Sequence, residues 1–269
     1  MHISKKSSTF AAEMQQVRAK KALGQHFLTD LNIAQRIADT ISSGRVLEIG
    51  PGMGVLTQFL LRNPNIDLTA VELDHESVTY LQEWYPELHL VEGDFLKMDL
   101  STLYPDGEFN VIGNYPYNIS SQIFFKLLEY KDRVPVCSGM LQKEVAERLA
   151  SQPGKKAYGI LSVLLQAWYD IEYLFTVDEY VFNPPPKVKS AVIRLRRNSR
   201  TQLGCDETLF KTVVKTAFNQ RRKQMRNSLQ QLAGKGNPIL EANIFTRRPE
   251  QLHVDEFVEL TKMLEKCQN

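Results

Sequence analysis

Short apolar runs recur along most of the chain and alternate at first with stretches that carry apolar residues at helical spacing. Short runs bounded by glycine, proline or polar residues are typical of buried strands. The pattern predicts strands near residues 45–50, 67–73, 88–93, 109–113, 134–140, 169–177 and 190–196. Because strands and helices alternate and the last strands follow as a pair, we expect an α/β fold with a seven-stranded, mostly parallel sheet.

The pattern changes around residues 198–204, where polar and turn-forming residues replace it. Beyond this break, apolar residues recur at helical spacing from Phe210 to Phe218, and Asp255 is placed to cap a last helix. We therefore predict three regions: a mobile basic N-terminal tail over 1–19, an α/β domain over 20–200, and a small helical domain over 201–269.

A glycine turn follows the first predicted strand, in the order Gly50-Pro51-Gly52-Met53-Gly54. Glycines permit positive φ and close backbone approach, so a nucleoside-bearing ligand can lie over the turn. Twenty residues after Gly52, Glu72 ends the next strand and is placed to accept hydrogen bonds from both ribose hydroxyls. The glycine spacing favours S-adenosylmethionine over a dinucleotide, with a plain glycine turn as the alternative.

The third strand ends at Asp94, which is placed to accept the adenine amine of the cofactor while Phe95 packs on its ring. An aspartate in this position can equally cap the helix that follows. Because the carboxyl ends of parallel strands form the ligand-binding edge of an open sheet, we expect Glu72, Asp94 and the end of the fourth strand at one site.

Asn114-Tyr115-Pro116-Tyr117 ends the fourth strand with the groups needed to hold a planar exocyclic amine. The N6 amine of adenine is a poor nucleophile because its lone pair is delocalised into the ring. The Asn114 side-chain carbonyl and a backbone carbonyl near Pro116 are candidate acceptors for its two N–H groups, and Tyr117 is a candidate stacking plane. No strong base is required, so positioning must supply most of the effect. A simple strand-to-loop exit is the alternative.

Charge is distributed unevenly along the chain. The 269 residues carry a formal net charge of +2, yet residues 187–226 contain 12 Lys or Arg and two acidic residues, net +10, and the remainder carries net −8. A segment this basic is expected to meet a polyanion, although a solvated helix face would account for one cluster alone. The candidate RNA-binding residues are Lys187, Lys189, Arg221, Arg222 and Lys223.

Three scattered cysteines, Cys137, Cys205 and Cys267, have neither metal-binding spacing nor an obvious pairing. We expect no metal and a reducing, cytoplasmic compartment. The first residues lack the apolar core of a signal peptide, and no uninterrupted apolar run approaches the length of a membrane span. A monomer is expected.

Several motifs occur in a fixed order, together with Glu72 and Asp94. They are GQHFL (24–28), GPGMGVLT (50–57), NYPYNIS (114–120), LQKEVAERL (141–149), FNPPPKVKSAVIRL (182–195) and FNQRRKQMRNSL (218–229). From about Lys20 to its end, the chain resembles the rRNA adenine N6-dimethyltransferase family and, within it, the enzymes of the small subunit.

The resemblance implies a Rossmann-like class I methyltransferase sheet in an S-adenosylmethionine-dependent methyltransferase domain over 20–200, and a small C-terminal helical domain over 201–269 that binds RNA or the ribosome. It implies S-adenosylmethionine-dependent dimethylation of the N6 amines of two adjacent adenines in the 3′-terminal hairpin loop of small-subunit (16S) rRNA. The small ribosomal subunit would be the partner, and subunit biogenesis the process served.

Carried over by position, the resemblance assigns the cofactor site to His26, Leu28, Gly50, Gly52, Glu72, Asp94 and Asn114. Asn114 and Pro116 would also face the target amine, and Tyr117 and Phe182 would be the aromatic faces around the flipped adenine. The family usually has Asn in place of His26 and an aliphatic residue in place of Tyr115. Bulk beside the amine would oppose a second methylation, so Tyr115 leaves the number of methyl groups open.

Some alternatives stay open. The proline run after Phe182 can simply be a stiff loop. In the functional interpretation, which is compatible with the first, this stiffness holds the Phe182 ring on the adenine while Lys187 and Lys189 reach phosphate. A large-subunit rRNA adenine methyltransferase of the macrolide-resistance type would share the pocket, although FNQRRKQMRNSL resembles the small-subunit enzymes. DNA adenine methylation would require a target-recognition domain that the pattern does not predict. In a further alternative, the chain is chiefly an assembly factor that holds immature small subunits.

Overall fold

The computed structural model of the chain describes residues 17–267. Its strands are β1 (Phe27–Leu28), β2 (Gly44–Ile49), β3 (Ile66–Glu72), β4 (His89–Glu92), β5 (Asn110–Asn114), β6 (Val136–Gln142), β7 (Tyr169–Val177), β8 (Phe182–Asn183) and β9 (Ser190–Arg197). Its α-helices are α1 (Leu31–Ala38), α2 (Thr57–Leu60), α3 (His75–Trp84), α4 (Leu100–Leu103), α5 (Ser120–Glu129), α6 (Lys143–Leu149), α7 (Ile160–Gln166), α8 (Glu207–Asn219), α9 (Met225–Ser228), α10 (Gln230–Ala233) and α11 (Val254–Glu265). The predicted tail over 1–19 lies outside the described residues except for 17–19.

The main sheet has the strand order β4-β3-β2-β5-β6-β9-β7, which confirms the predicted seven-stranded α/β fold. Neighbours from β4 to β6 are parallel, and β9 pairs antiparallel with β6. The chain builds outward from β2 to β4 and then returns to the other side of β2 at β5. Ligands of open α/β sheets bind beyond the carboxyl ends of the strands at such a reversal, so the topology places the site next to β2 and β5.

Helix α1 shows how local sequence shapes the core. Asp30 caps it by accepting hydrogen bonds from the backbone N–H groups of Asn32 (2.9 Å) and Ile33 (3.1 Å). The buried positions Ala34, Ile37 and Ala38 are three and four residues apart and therefore share one face. Removing the Ile37 side chain would cost about 2–5 kcal/mol, because its site is fully buried.

The chain divides into two compact units. The first comprises residues 17–146 and Glu172–Arg196, and the second comprises Glu147–Ile171 and residues 197–267. The predicted limits, 20–200 and 201–269, differ from this division at Glu147–Ile171. Helix α7 lies in that segment and packs on α8 and α11. An apolar periodicity identifies a helix but does not say which core the helix joins, so the sequence could not place this segment.

Within the second unit, α8 buries Phe210, Val213, Val214 and Ala217, at the spacing read from the sequence. The expectation that Asp255 caps the last helix was wrong. His253 is the N-cap of α11, its backbone N–H donates to Glu256 Oε2 at 2.9 Å, and Asp255 pairs instead with Arg200 at 2.5 Å.

Neither a membrane-spanning helix nor a metal-binding cluster is present in the described part of the chain. None of its helices combines the length and the apolar character that a crossing requires. Nor do three or more of its His, Cys, Asp or Glu side chains converge on a point where an ion could be held.

Candidate active site

A cleft in the first unit lies where the topology places the site. The carboxyl ends of β2 to β5 and the segment before β1 line it, with an empty volume of about 1210 Å³ that includes its open mouth. It brings together most of the predicted residues: His26, Leu28, Gly50, Gly52, Glu72, Asp94, Asn114, Pro116 and Tyr117. Concave clefts with a few converging polar groups are the usual binding sites of cofactors and small ligands.

The glycine turn after β2 forms one wall of the cleft. Gly50 and Gly52 have φ of +65° and +58°, which only glycine adopts at low cost. A Cβ atom on Gly52 would also lie 3.1 Å from the ring of Phe27, a contact so close that the ring would have to shift by a few tenths of an ångström. The backbone N–H of Gly52 donates to Glu72 Oε2 at 2.9 Å, which ties the turn to the end of β3.

Glu72 is buried and held by three backbone N–H groups. Besides Gly52, Leu73 and Asp74 donate to its Oε1 at 2.8 and 2.9 Å. Burial raises the pKa of Glu72 above its ordinary value, although these bonds oppose the shift. Each carboxylate oxygen can accept more than one hydrogen bond, so the carboxylate retains capacity for ribose hydroxyls.

Asp74 anchors the segment before β1, a role that the sequence did not reveal. It accepts hydrogen bonds from Lys20 Nζ and, at 3.1 Å, from Gln25 Nε2, and the Lys20 backbone N–H donates to Gln25 Oε1 at 2.8 Å. Burial alone would raise the pKa of Asp74, but the bonds from Lys20 and Gln25 outweigh it and lower the pKa. The segment 20–28, hereafter the strap, is thereby fixed along the cleft.

The strap presents His26 and Leu28. His26 Nδ1 donates to the carbonyl oxygen of Pro184 at 2.8 Å, and the His26 carbonyl accepts from Asn114 Nδ2 at 3.2 Å. Leu28 is fully buried and is the register partner of Phe182. The histidine at this position thus links the strap to the proline run, while its backbone orients Asn114.

Asn114 lies at the end of β5 with its amide fixed. Because Nδ2 donates to the His26 carbonyl, Oδ1 points elsewhere, and no described residue donates to it. The Pro116 carbonyl accepts the Ile119 backbone N–H at 3.3 Å and closes a turn. The neighbouring Tyr115 carbonyl receives no hydrogen bond from residues 17–267 and is the better second acceptor.

Tyr115 does not crowd this acceptor pair, contrary to the concern that its bulk raised. Its side chain is only 1% exposed, and its hydroxyl donates to the Ser138 carbonyl at 2.7 Å. The ring packs edge-on against Phe124 with centroids 5.7 Å apart. Its volume is therefore directed into the core and leaves room at the amine.

The two predicted aromatic faces differ in position. Tyr117 lines the cleft, is half-buried, and forms a hydrogen bond between its hydroxyl and Ser190 Oγ. Phe182 is only 4% exposed and packs in the core, and it is not among the residues that line the cleft. The pairing of β8 with β1 accounts for this burial, and the contact of Phe182 with the base stays a prediction.

Asp94 closes a turn and lines the cleft at the same time. Its Oδ1 accepts the Leu96 backbone N–H at 3.0 Å, so the capping interpretation and the cofactor interpretation are compatible. Phe95 is buried beside it. Lys126, which no motif indicated, holds this turn by donating to the carbonyls of Leu96 (3.1 Å) and Met98.

Glu48 is a third residue that sequence reasoning missed. It lies inside the apolar run of β2 and is 1% exposed, and its Oε2 accepts the Thr57 hydroxyl at 2.7 Å. Its Oε1 has no partner in the part of the chain that the structure describes, yet the residue lines the cleft. Burial raises its pKa to about 8.

The acceptor groups of the cleft fit S-adenosylmethionine. Glu72 suits a ribose, Asp94 suits an adenine amine, and a buried carboxylate with an unpartnered oxygen at Glu48 suits a cationic ligand, because an opposite charge favours its ionised form. The glycine turn leaves space for the backbone to approach the ligand closely.

The predicted RNA-binding residues lie outside this cleft. In the first unit, Lys187 is exposed and Lys189 pairs with Asp178 at 2.5 Å. In the second unit, Arg221 donates to the Lys155 carbonyl at 3.2 Å, whereas Arg222 and Lys223 are exposed. Their contact with RNA stays a prediction.

Comparison with known proteins is consistent with this site. A family profile described as ribosomal RNA adenine dimethylase matches residues 16–266. A ribosomal RNA small subunit methyltransferase A from Parabacteroides distasonis is 67% identical over 258 residues, which cover 94% of this chain and 96% of the relative. One from Porphyromonas gingivalis is 62% identical over 259 residues, which cover 94% of this chain and 100% of the relative.

Two solved structures share the fold. A dimethyladenosine transferase from Plasmodium falciparum matches with a TM-score of 0.74 at 24% identity. The match covers 90% of this chain and 98% of the chain of that protein. The 23S rRNA methyltransferase ErmE matches with a TM-score of 0.68 at 25% identity. The match covers 89% of this chain and 99% of the ErmE chain.

Proposed function

The chain belongs to the ribosomal RNA adenine dimethylase family, and from that membership we propose that it dimethylates two adjacent adenines in the 3′-terminal hairpin loop of small-subunit rRNA. It is an S-adenosylmethionine-dependent rRNA adenine N6-dimethyltransferase. Relatives that are more than 60% identical over almost the whole chain carry the small-subunit name, which favours that subunit over the large one.

The observation that carries the proposal is the state of Asn114. Its Nδ2 is already engaged by the His26 carbonyl, while its Oδ1 and the Tyr115 carbonyl are free to accept hydrogen bonds beside Tyr117. These two acceptors take both N–H groups of an adenine N6 amine, and Tyr117 stacks on the base. The pair leaves the nitrogen lone pair directed out of the plane, where a methyl donor must lie.

Bound in the cleft, S-adenosylmethionine would supply the methyl group from its sulfonium, whose sulfur would keep the bonding pair, and the N6 amine would lose a proton to water. Glu72 would hold the ribose of this donor, and Asp94 would hold its adenine. Correct alignment of two bound reactants can supply about 7–11 kcal/mol of the barrier, so the residues act mainly by positioning.

Methylation assays on ribosomal subunits that lack these modifications test which subunit is the substrate. We expect the protein with radiolabelled S-adenosylmethionine to label small subunits that lack these modifications and to leave large subunits unlabelled. Label confined to the large subunit would favour the macrolide-resistance type, and label on neither would leave only a binding role.

The exposed charges of Arg222 and Lys223 favour a second role in small-subunit assembly, in which the protein holds an immature particle until it is methylated. In this proposal the protein acts in the cytoplasm and as a monomer. The reaction needs no metal ion, because positioning alone accounts for the chemistry.

A further inference from the structure

A turn between β4 and α4 carries Asp94 and Phe95, which both line the cleft. The backbone N–H groups of Lys97 and Met98 donate to the Asp94 carbonyl at 3.0 and 3.1 Å and close the turn. The carbonyls of Leu96 and Met98 accept no backbone N–H from residues 17–267. A carbonyl withdrawn from solvent needs another donor, and here the donor comes from a neighbouring helix.

Lys126 of α5 supplies that donor. The residue is only 8% exposed, and its Nζ donates to the Leu96 carbonyl at 3.1 Å and to the Met98 carbonyl. The same Nζ lies 5.5 Å from the centroid of the Phe95 ring, within the range of cation–π attraction. A buried ammonium group is stable only when its donors find partners, so the turn and Lys126 hold each other in place.

Tyr130, at the end of the same helix, holds the far end of the turn. Its hydroxyl accepts the Leu100 backbone N–H at 3.1 Å and donates to Asp99 Oδ1 at 3.0 Å. Residues four apart lie on one face of a helix, so Lys126 and Tyr130 approach the turn together. We call this pair of side chains the clamp.

Helix α5 begins at Ser120, shortly after the motif that ends β5. One short helix thus connects the acceptors for the target amine at its start with the turn that carries Asp94 at its end. Methyl transfer requires the donor and the target to be aligned, and a rigid connection between their two binding sites preserves such alignment.

We propose that Lys126 and Tyr130 are positioning residues for S-adenosylmethionine, which hold Asp94 where its carboxylate accepts the exocyclic amine of the cofactor's adenine. The inference rests on the contact between Asp94 and adenine in the proposed function. Without the clamp, Glu72 would still hold the ribose, but the turn would no longer favour a base that carries an amine.

Two ligands that differ only at this amine test the proposal. S-inosylhomocysteine carries a carbonyl oxygen where S-adenosylhomocysteine carries the amine, so the Asp94 carboxylate would meet an acceptor instead of a donor. Calorimetry measures both affinities for the wild-type protein, Lys126→Met and Tyr130→Phe. Tyr158→Phe is the matched control, because the Tyr158 hydroxyl also bonds to the backbone, donating to the Leu252 carbonyl at 3.0 Å in the second unit.

The wild-type protein should bind S-adenosylhomocysteine at least about tenfold more tightly than S-inosylhomocysteine. Lys126→Met should lower this ratio of affinities about fivefold or more, and Tyr130→Phe about threefold, because the second variant loses only the bonds at the far end of the turn. Tyr158→Phe should keep the wild-type ratio. A merely structural role of the clamp would weaken both ligands alike and leave the ratio unchanged.

An unchanged ratio in Lys126→Met, or the same fall in Tyr158→Phe, would overturn the inference while the proposed function stands. If Lys126→Met does not fold, Tyr130→Phe takes its place in this comparison, since it removes a single hydroxyl from a half-buried ring. Equal affinities of the wild-type protein for the two compounds would overturn the contact of Asp94 with adenine, and the inference with it. Labelling of unmodified small subunits reports on methylation independently of these affinities.

Discussion

At the residue scale, the two polar atoms of the Asn114 amide have different tasks. Nδ2 fixes the side chain on the His26 carbonyl, and Oδ1 is left for the target amine. Asn114→Ala removes both, so we expect kcat to fall about 100-fold or more, by analogy with loss of one preorganised hydrogen-bonding group. Affinity for S-adenosylmethionine should fall by less than about tenfold, as calorimetry would measure.

Asn110→Ala is the matched control for that prediction. Asn110 begins the same strand, and its Nδ2 also donates to a backbone carbonyl, that of Ser43, at 3.1 Å. It should lose stability without loss of kcat at saturating substrate. If both variants lost activity equally, the special role of Asn114 would be contradicted.

Glu48 makes stability depend on pH. Burial raises its pKa from 4.5 to about 8, so the folded protein retains a proton that the unfolded chain releases near pH 4.5. The contribution of Glu48 to the free energy of unfolding is fully present below pH 4.5 and is lost as the pH rises through about 8. Between pH 5 and pH 8.5, the free energy of unfolding of Glu48→Gln should rise by about 2–5 kcal/mol relative to that of the wild-type protein. Urea unfolding of the free protein measures this difference. Parallel pH curves for the two proteins would contradict this assignment.

Several of the cleft residues that the sequence predicted lie at or just after the end of a strand, beside a recognisable turn or polar group. Glu72, Asp94 and Asn114 could be located in this way because strand ends converge in a parallel sheet. Phe182 could not, since its burial depends on a pairing of two-residue strands far apart in the chain. The sequence did not identify Glu48 as a site residue, because it lies inside an apolar run that is most simply interpreted as a buried strand.

At the scale of elements, the strap depends on one buried carboxylate. Asp74 accepts from Lys20 and Gln25, so Asp74→Asn places an amide opposite donor groups. We expect faster amide hydrogen exchange over residues 20–28 and about tenfold weaker binding of S-adenosylmethionine, because the ligand must then order the strap.

Asp106→Asn is the control for the strap, since it removes an exposed carboxylate that pairs with Arg45 at 3.6 Å. That variant should match the wild-type protein in both measurements. Unchanged exchange over 20–28 in Asp74→Asn would show that other contacts hold the strap.

Elements of the main sheet were predictable because each apolar run has strand length and clear limits. The strap with its two-residue strand β1 was not, because short strands have no periodicity of their own and form through distant partners. Helix α7 was expected in the catalytic domain for the same reason: its buried residues indicate a helix, whereas its partners in α8 lie more than forty residues later.

At the scale of the whole molecule, the concentration of positive charge between residues 187 and 226 predicts salt-dependent binding of RNA. Arg222 and Lys223 are exposed, so reversal of both charges should leave the fold intact. We expect Arg222→Glu with Lys223→Glu to weaken binding to small subunits by about tenfold or more and to lower the salt dependence by about two phosphate contacts. Affinity for S-adenosylmethionine should not change.

Lys235→Glu with Lys266→Glu makes the same charge change at exposed positions outside the basic segment. Equal weakening by the two double variants would indicate an effect of net charge alone. Asn114→Ala separates the two candidate roles, because an assembly role predicts that this variant still associates with immature small subunits.

The most direct test of the account is a mass-spectrometric map of rRNA from unmodified small subunits after reaction with the protein and S-adenosylmethionine. The account predicts N6,N6-dimethyladenosine at two adjacent adenines in the 3′-terminal hairpin loop, formed about 100-fold more slowly or slower still with Asn114→Ala. Dimethylation at other positions would contradict the proposed target, and a product that stops at the monomethyl stage would contradict the room that the buried Tyr115 leaves at the amine.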